Sequence, residues 1–332
     1  MTSLPLGSAA LEEALTPRLA LVEERLRDAV AQSDRLAHAT SRHLVDAGGK
    51  RLRPMLTLLT AQLGDGARPE VVEAGVVVEL THLATLYHDD VMDSAPTRRG
   101  APAAHEVWGN SVAILTGDLL FARASRVVAG LGPEAVRIQA QTFERLCLGQ
   151  LHETVGPDED ADAVAHYLQV LADKTGSLIA TSARFGAMFA GCMPSVVQQV
   201  TEYGEYAGVA FQLADDVIDV RSDAETTGKT PGTDLREAVP TMPVLLLRQR
   251  VAGPDATDDD RRLLADIDGD LSADEVLADV VARLSRHAVV DETAALAQAW
   301  ARRAKDAVAG LPEGEVRDAL MTFADALVAR AA

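Results

Sequence analysis

Hydrophobic and polar positions follow a helical period along most of the chain. Apolar residues recur every three or four positions, and no alternating strand pattern bounded by turn residues stands out. The pattern therefore predicts an all-α fold. The predicted helices cover Leu11–His43, Met55–Leu63, Pro69–Asp89, Ser111–Val128, Glu134–Glu153, Ala163–Ala190, Val196–Val220, Thr241–Val251, Ser272–Arg286, Asp291–Ala309 and Glu313–Arg330.

Two loops are predicted where Gly, Pro and acidic residues cluster, at Gly156–Asp162 and Gly253–Asp260. We interpret the acidic run Asp258–Asp260 as solvated loop residues, because adjacent aspartates lack the i, i+4 spacing that places two carboxylates on one helix face. Nothing in the sequence marks a boundary between independent domains. Residues 1–332 are therefore predicted to form one helical domain.

Composition and charge narrow the range of functions. The 332 residues are 48% hydrophobic but only 4% aromatic, which favours helices packed closely on one another. A formal net charge of −19 argues against nucleic-acid binding, which needs basic surface. Cys147 and Cys192 form no CxxC motif and are predicted to be inert core residues in a reducing cytosol. With no signal-peptide pattern and no apolar run near the about 18–20 residues that span a bilayer, a cytoplasmic protein is predicted.

One aspartate pattern occurs twice, as DDVMD at Asp89–Asp93 and as DDVID at Asp215–Asp219. On a helix, residues i and i+4 share a face, so the first and last aspartate of each motif point the same way. Such clusters repel unless a cation lies among them, and Mg²⁺ suits them because it combines one or two carboxylates with water and substrate phosphates. Two facing clusters would hold a diphosphate. The predicted metal ligands are Asp89, Asp90, Asp93, Asp215, Asp216 and Asp219.

Basic residues lie near these motifs. The segment GGKRLRP, Gly48–Pro54, opens a predicted helix, and helix N-termini bind phosphate through free N–H groups and the positive end of the helix dipole. Lys50, Arg51 and Arg53 add charge there. Arg98 and Arg99 follow the first aspartate motif, and Lys174 and Lys229 lie in the second half of the chain.

With these motifs in order, the chain resembles the all-trans polyprenyl diphosphate synthases over nearly its whole length. The matching segments are GGKRLRP, DDVMD followed by RRG, GNSVAILTGD, DKTGSLIA, FQLADDVID and GKTPGTD. The resemblance implies the isoprenoid synthase fold, a helical bundle around a deep central active-site cavity. It also implies a magnesium-dependent prenyltransferase with about three Mg²⁺ ions per active site.

The resemblance also assigns roles. Asp89 and Asp93 are the expected direct metal ligands of the first motif, and Asp215 is the strongest candidate in the second. The allylic diphosphate is assigned to Arg98, Lys174 and Lys229, and the diphosphate of isopentenyl diphosphate to Lys50, Arg53, His82 and Arg99, with Phe211 over the isopentenyl unit. Lys174, Thr175 and Gln212 are the expected catalytic residues, the last two facing the allylic cation.

Some of these assignments have simpler alternatives. His82 also fits a satisfied core histidine, and Thr175 and Gln212 also fit ordinary polar packing groups between helices. The sequence departs from the family pattern at Val239, where many members carry a lysine, so one phosphate contact is missing or supplied by Arg236.

Product length is predicted from the residues that precede the first motif. At about 1.5 Å per residue, Thr85 and Ala84 lie about 6–7.5 Å deeper than Asp89 along the helix. Both are small, as is Thr81 one turn further, which predicts an open tunnel and a product of roughly six to ten isoprene units (about C30–C50). Family habit suggests the side chain of a quinone such as menaquinone. The alternative is that Tyr87 or a residue of a neighbouring helix closes the tunnel early.

Three other functions remain open on the sequence. A shorter product would make the chain a farnesyl or geranylgeranyl diphosphate synthase. A non-catalytic partner subunit of another synthase would be expected to lose the aspartates or the GGKRLRP cations, which this chain retains. A terpene cyclase would need only one diphosphate site. A homodimer is expected from the family, and an oily product favours peripheral contact with a membrane during release.

Overall fold

The computed structural model describes residues 6–221 and 231–329, and these residues are overwhelmingly helical. A single antiparallel ribbon within the described ranges pairs β1 (Thr97–Arg98) with β2 (Ala101–Pro102). In chain order the helices are α1 Ala9–Val30, α2 Arg35–Asp46, α3 Leu52–Ala61, α4 Pro69–Met92, α5 Ala104–Trp108, α6 Asn110–Ala129, α7 Pro133–Val155, α8 Ala163–Leu171, the π-helix Ala172–Gly176, α9 Ser177–Phe189, α10 Pro194–Arg221, α11 Thr233–Arg236, α12 Met242–Ala252, α13 Asp258–Ile267, α14 Asp274–Leu284, α15 Ala288–Val308 and α16 Glu315–Val328.

The chain divides into two compact units, each made of separated segments. The first unit comprises Met1–Leu146, Ser177–Gly204 and Ala307–Phe323, and the second comprises Cys147–Gly176, Glu205–Asp306 and Ala324–Ala332. No single cut in the chain therefore separates the two units. A single domain over residues 1–332 stays a prediction.

In the first unit, α4 is the central helix and packs against α1, α3, α6 and α9. Its sequence is apolar almost all round, as expected of a helix covered on every side. Helices α3 and α9 approach closely because Gly186 has no side chain: a Cβ there would lie 2.1 Å from the Thr57 carbonyl oxygen. The Thr57 hydroxyl donates to the Ser182 carbonyl oxygen at 3.0 Å, which fixes this contact.

The second unit has its own apolar core around the carboxyl-terminal half of α10. Leu213 and Val217 of α10 are buried with Met242 and Leu247 of α12 and Leu284 of α14. Leu213 and Val217 lie four positions apart on α10, so the face of the helix that they share is fixed inward. The aspartates of the second motif, on the same turns, are placed by this packing.

Most predicted helices are present, with shifted ends, and two were predicted too long. Leu11–His43 is two helices, because the chain breaks after Val30 and Asp34 caps α2 by accepting from the Ala37 N–H at 2.8 Å. Ala163–Ala190 is interrupted by the π-helix Ala172–Gly176. The short helices α5 and α11 and the helix α13 were not predicted from the sequence.

The loop prediction for Asp258–Asp260 was wrong. These aspartates form the first turn of α13, where Thr257 and Asp260 exchange hydrogen bonds in a capping box. Backbone and side-chain hydrogen bonds with Thr257 and the His287 ring lower the pKa of Asp260 to about 2. Adjacent carboxylates are favourable at a helix N-terminus because they complement the positive end of the helix dipole.

Within the two described ranges, no helix combines the length and apolar character needed to cross a membrane.

Candidate active site

The segment before α3 is held by a buried arginine. Arg51 has only 3% of its surface exposed and adopts a left-handed backbone conformation with φ of 48°. Its five guanidinium N–H donors make five hydrogen bonds: two to the Glu23 carboxylate, one to Glu79 at 2.8 Å, and two to the carbonyl oxygens of Val45 and Gly48 at 3.0 and 3.1 Å. Arg51 is therefore a structural member of GGKRLRP, although the sequence suggested only added charge.

Arg99 lies against the same segment. Its Nη1 donates to the carbonyl oxygens of Leu44, at 3.1 Å, and Gly48, and its Nη2 lies 3.8 Å from the Glu79 carboxylate. Gly49 allows this approach, since a Cβ there would lie 2.8 Å from the Arg99 guanidinium carbon. Burial lowers the pKa of Arg99, and Glu79 opposes that effect.

Arg53 and His82 complete a cationic cluster in the first unit, which we define as Arg51, Arg53, Arg98, Arg99 and His82. Burial lowers the pKa of Arg53 to about 10, with Arg99 acting in the same direction and Glu79 and Asp89 opposing. Burial and the four arginines lower the pKa of His82 well below its usual range, which favours a neutral ring. Lys50, which is also predicted to bind isopentenyl diphosphate, precedes Arg51 in the sequence and is exposed.

The first aspartate motif occupies the carboxyl end of α4. Asp90 is fully buried, and its Oδ1 accepts a 2.6 Å hydrogen bond from Arg98 Nε; its Oδ2 has no hydrogen-bond partner among the described residues. Burial raises the pKa of Asp90, and Arg98 opposes that shift. Asp89 is half-buried, and Asp93, the C-cap residue of α4, is exposed. The outer two aspartates are thus the more accessible pair.

The second unit places the predicted catalytic residues together. Lys174 and Thr175 lie in the π-helix Ala172–Gly176, a rare local conformation often found at functional sites. Lys174 Nζ pairs with the Glu153 carboxylate, and Thr175 Oγ1 donates to Gln212 Oε1 at 3.3 Å. Phe211 is half-buried beside Gln212 on α10. Lys229 lies outside the described residues.

The second aspartate motif lies in the last turns of α10. Asp216 has 2% of its surface exposed and accepts from the Tyr167 hydroxyl at 2.9 and 3.1 Å and from the Met242 N–H at 3.2 Å. Burial raises the pKa of Asp216 well above its usual range. Asp215 and Asp219 are half-buried, and the Asp219 side chain accepts from the Asp234 N–H at 3.4 Å.

The predicted tunnel positions differ in burial. Thr81 and Ala84 are fully buried, and the Thr81 hydroxyl accepts from Gln139 Nε2 at 2.6 Å, whereas Thr85 is half-buried. Tyr87 is buried with its hydroxyl on the backbone of α2, donating to the Thr40 carbonyl oxygen at 2.5 Å. Val239, where many relatives carry lysine, lines a mostly apolar cavity of the second unit with Tyr167 and Leu245.

The aspartates fit a divalent cation that is completed by substrate. The described residues contain no cluster of three or more His, Cys, Asp or Glu side chains that could hold a metal ion alone. Mg²⁺ does not require such a cluster, because it is bound through one or two carboxylates with water and phosphate oxygens filling the other positions. The more exposed aspartates of each motif, Asp89 with Asp93 and Asp215 with Asp219, offer that donor set.

Comparisons with known proteins identify the family of the chain. The polyprenyl synthetase family model matches residues 34–283. Nonaprenyl diphosphate synthase of Mycobacterium tuberculosis is 43% identical over 99% of this chain and 97% of its own. A Caulobacter crescentus polyprenyl synthase crystallised with calcium and isoprenyl diphosphate superposes with a TM-score of 0.86 at 33% identity, covering 97% of each chain. Geranylgeranyl pyrophosphate synthase of Corynebacterium glutamicum, also with calcium and isoprenyl diphosphate, gives 0.85 at 39% identity and 98% coverage of each.

The chain belongs to the polyprenyl synthetase family. The predicted family and the all-α isoprenoid synthase fold are confirmed. The sequence did not reveal the partners of the functional side chains. Glu79 could have been suspected because it is a charged residue within an apolar run, whereas no feature of the sequence distinguished Tyr167.

Proposed function

We propose that this protein condenses isopentenyl diphosphate head-to-tail with an allylic diphosphate and releases a long-chain all-trans polyprenyl diphosphate of about C30–C50. The observation that carries the proposal is that the first unit contains both a cluster of cationic side chains and an aspartate motif. The cationic cluster borders the first aspartate motif, since Arg98 Nε of the cluster donates to Asp90 Oδ1 at 2.6 Å. One diphosphate would therefore be bound by cationic side chains without metal, and the other would be bound through metal ions at the aspartates.

Within the cationic cluster, Arg53, Arg99 and His82 would bind the isopentenyl diphosphate, together with Lys50. Arg99 is held by hydrogen bonds to the Leu44 and Gly48 carbonyl oxygens, so little side-chain entropy is lost when it binds an anion, and the buried Arg53 Nε has no hydrogen-bond partner among the described residues. Lys50 adds a compact charge, and neutral His82 can donate a hydrogen bond to a phosphate oxygen without adding charge. Phe211 would pack over the isopentenyl unit.

The more exposed aspartates of the two motifs, Asp89 with Asp93 and Asp215 with Asp219, would bind Mg²⁺ together with the allylic diphosphate. When bound, these ions neutralise the charge that develops on the leaving diphosphate. Calcium accompanies isoprenyl diphosphate in two structural relatives, which supports a divalent cation here. The identity of the metal as Mg²⁺, and about three ions per site, belong to the proposal.

The bond changes follow from this placement. The allylic C–O bond breaks with departure of diphosphate, assisted by Arg98, Lys174 and Lys229. The double bond of isopentenyl diphosphate then attacks the allylic cation, and a C–C bond forms. Thr175 Oγ1 and Gln212 Oε1 would place electron-rich oxygens beside the cation. A proton leaves the condensed intermediate, and the released diphosphate would accept it. The apolar walls would exclude water, which would otherwise trap the cation as an alcohol.

Product length rests on the first unit. Thr85 is small and half-buried, and Tyr87 is tied to α2 by its hydroxyl, which disfavours early closure of a tunnel by that ring. The 43% identical nonaprenyl diphosphate synthase supports the longer product. Use of that product as a quinone side chain, a homodimeric assembly, a cytoplasmic location and peripheral membrane contact during release are further parts of the proposal.

A chain-length assay tests the function. Purified protein is incubated with Mg²⁺, labelled isopentenyl diphosphate and either farnesyl or geranylgeranyl diphosphate, with a chelator control, and products are identified by mass. We expect a metal-dependent ladder ending at about six or more isoprene units. Products ending at about three or four units would instead support a short-chain synthase. No condensation with either primer by folded protein would support a silent partner subunit or a cyclase.

A further inference from the structure

Asp216 of the second motif is anchored by two elements of the second unit. Its carboxylate accepts from the Tyr167 hydroxyl of α8, at 3.1 Å to Oδ1 and 2.9 Å to Oδ2, and from the backbone N–H of Met242 in the first turn of α12, at 3.2 Å. Tyr167 is 9% exposed and Asp216 is 2% exposed, so water cannot readily replace either contact. The carboxylate therefore joins α10 to both α8 and α12.

This anchor acts together with the apolar packing of α10 on the direction in which the rest of the motif points. Successive residues of an α-helix are rotated by about 100°, so a fixed inward direction for Asp216 fixes the directions of its neighbours. Asp215 and Asp219 are accordingly half-buried rather than buried. Without the hydroxyl, the Asp216 carboxylate would keep only the Met242 N–H among the donors of the described residues, and its side chain could turn away from the inward direction.

Tyr167 also belongs to the segment that carries the predicted catalytic residues. Helix α8 continues directly into the π-helix with Lys174 and Thr175. The segment is thus linked to α10 at two places, by Tyr167 with Asp216 and by Thr175 with Gln212. The two links together fix the separation and rotation of α10 relative to the π-helix.

We propose that Tyr167 is a positioning residue for metal binding: its hydroxyl holds Asp216 inward so that Asp215 and Asp219 are presented to the cations. This inference rests on the proposed function. Residues that support metal ligands from behind commonly change metal affinity or activity by about 10–100-fold when they are substituted. Tyr167 would act in this way, through Asp216, without touching substrate or metal.

The test is Tyr167→Phe, which removes only the hydroxyl. We expect the Mg²⁺ concentration for half-maximal condensation to rise by about 10–100-fold, with the maximal rate largely recovered at high Mg²⁺. KM for isopentenyl diphosphate should change by less than about two-fold, because the residues assigned to its diphosphate group lie in the first unit. Substitution of a residue that only stabilised the fold would not raise the Mg²⁺ concentration for half-maximal condensation while leaving KM for isopentenyl diphosphate nearly unchanged.

Tyr203→Phe is the matched control. Tyr203 is also a buried tyrosine and lies on α10, but its hydroxyl donates to the Leu320 carbonyl oxygen at 2.7 Å, away from the aspartate motif. It should lower the melting temperature about as much as Tyr167→Phe while leaving the Mg²⁺ dependence unchanged. An equal shift in both variants, or none in Tyr167→Phe, would overturn the inference.

A second variant covers the case in which Tyr167→Phe does not fold. Asp216→Asn keeps the side-chain size but removes the carboxylate charge and leaves one amide oxygen to accept from both Tyr167 and Met242, which weakens the two hydrogen bonds. The same shift in Mg²⁺ dependence is expected, and a wild-type profile in this variant would contradict the inference. Inactivity of the unsubstituted protein in the same assay would instead count against the proposed function.

Discussion

The two aspartate motifs share a sequence pattern but are anchored differently. In both, the second aspartate is buried, Asp90 in the first unit and Asp216 in the second. Asp90 is bound by a charged partner, the Arg98 guanidinium, whereas Asp216 is bound by uncharged donors, the Tyr167 hydroxyl and a backbone N–H. The pattern DDxxD therefore specifies which carboxylates are presented, and the surroundings specify what holds the motif in place.

The difference has electrostatic consequences. Burial raises the pKa of Asp90 and of Asp216. Near Asp90, Arg98 opposes the shift, while near Asp216 the hydrogen bonds from Met242 and Tyr167 oppose it and the neighbouring carboxylates of Asp215 and Asp234 add to it. The first motif is thus stabilised largely by an ion pair and the second largely by hydrogen bonding. Charge removal should affect them unequally.

The largest effect is expected from the accessible aspartates, where the motifs should behave alike. Asp89→Asn and Asp215→Asn should each lower turnover by about 10²–10³-fold, because charge that neutralises the leaving diphosphate is then bound less well. Steady-state kinetics at saturating Mg²⁺ measure the loss. Asp258→Asn, an exposed position on α13, is the control and should retain full activity. Full turnover in either motif variant would remove that motif from the metal site.

A smaller effect is expected in stability, where the motifs should differ. Arg98→Ala leaves the Asp90 carboxylate buried without its charged partner and should lower the free energy of unfolding by about 1–3 kcal/mol. The value lies below that of a fully buried pair because the Arg98 side chain is 26% exposed. Tyr167→Phe should cost about 1 kcal/mol, the contribution of one neutral hydrogen bond.

Urea denaturation of both variants measures this difference. Arg42→Ala breaks an exposed i, i+4 pair with Asp46 and should change stability by at most about 0.5 kcal/mol, which controls for loss of a surface arginine. Equal costs for Arg98→Ala and Tyr167→Phe would mean that the two anchors are energetically equivalent despite their different chemistry.

The smallest energetic effect concerns the residues four positions before each motif. Thr85 precedes Asp89, and Phe211 precedes Asp215. Thr85→Phe should shorten the product to about three or four isoprene units by filling the tunnel, at a folding cost below about 1 kcal/mol because Thr85 is only half-buried. Phe211→Leu should raise KM for isopentenyl diphosphate and leave product length unchanged. Mass analysis of the products measures both, and an unaltered ladder from Thr85→Phe would place the tunnel elsewhere.

Much of the fold was predictable because helical periodicity is a local signal. The pattern around α4 and α10 gave both helices within a few residues, since their apolar positions recur over many turns. The π-helix at Ala172–Gly176 was missed because it continues an apolar helical pattern and differs only in hydrogen-bond register. Helix α13 was missed as a whole because the aspartates of its first turn look like a loop unless the Thr257 capping box is considered.

The sequence by itself determined the helical class, the family and the side chains available for chemistry, because these follow from periodicity and from motif identity along the chain. Only the tertiary structure decided which charges are used internally. Arg51 lies between two candidate phosphate ligands in sequence, yet it is bound by Glu23 and Glu79, which lie 28 positions before and after it. Asp216 likewise depends on Tyr167, 49 positions earlier. Such partners are set by helix packing over long sequence separations, which no local pattern records.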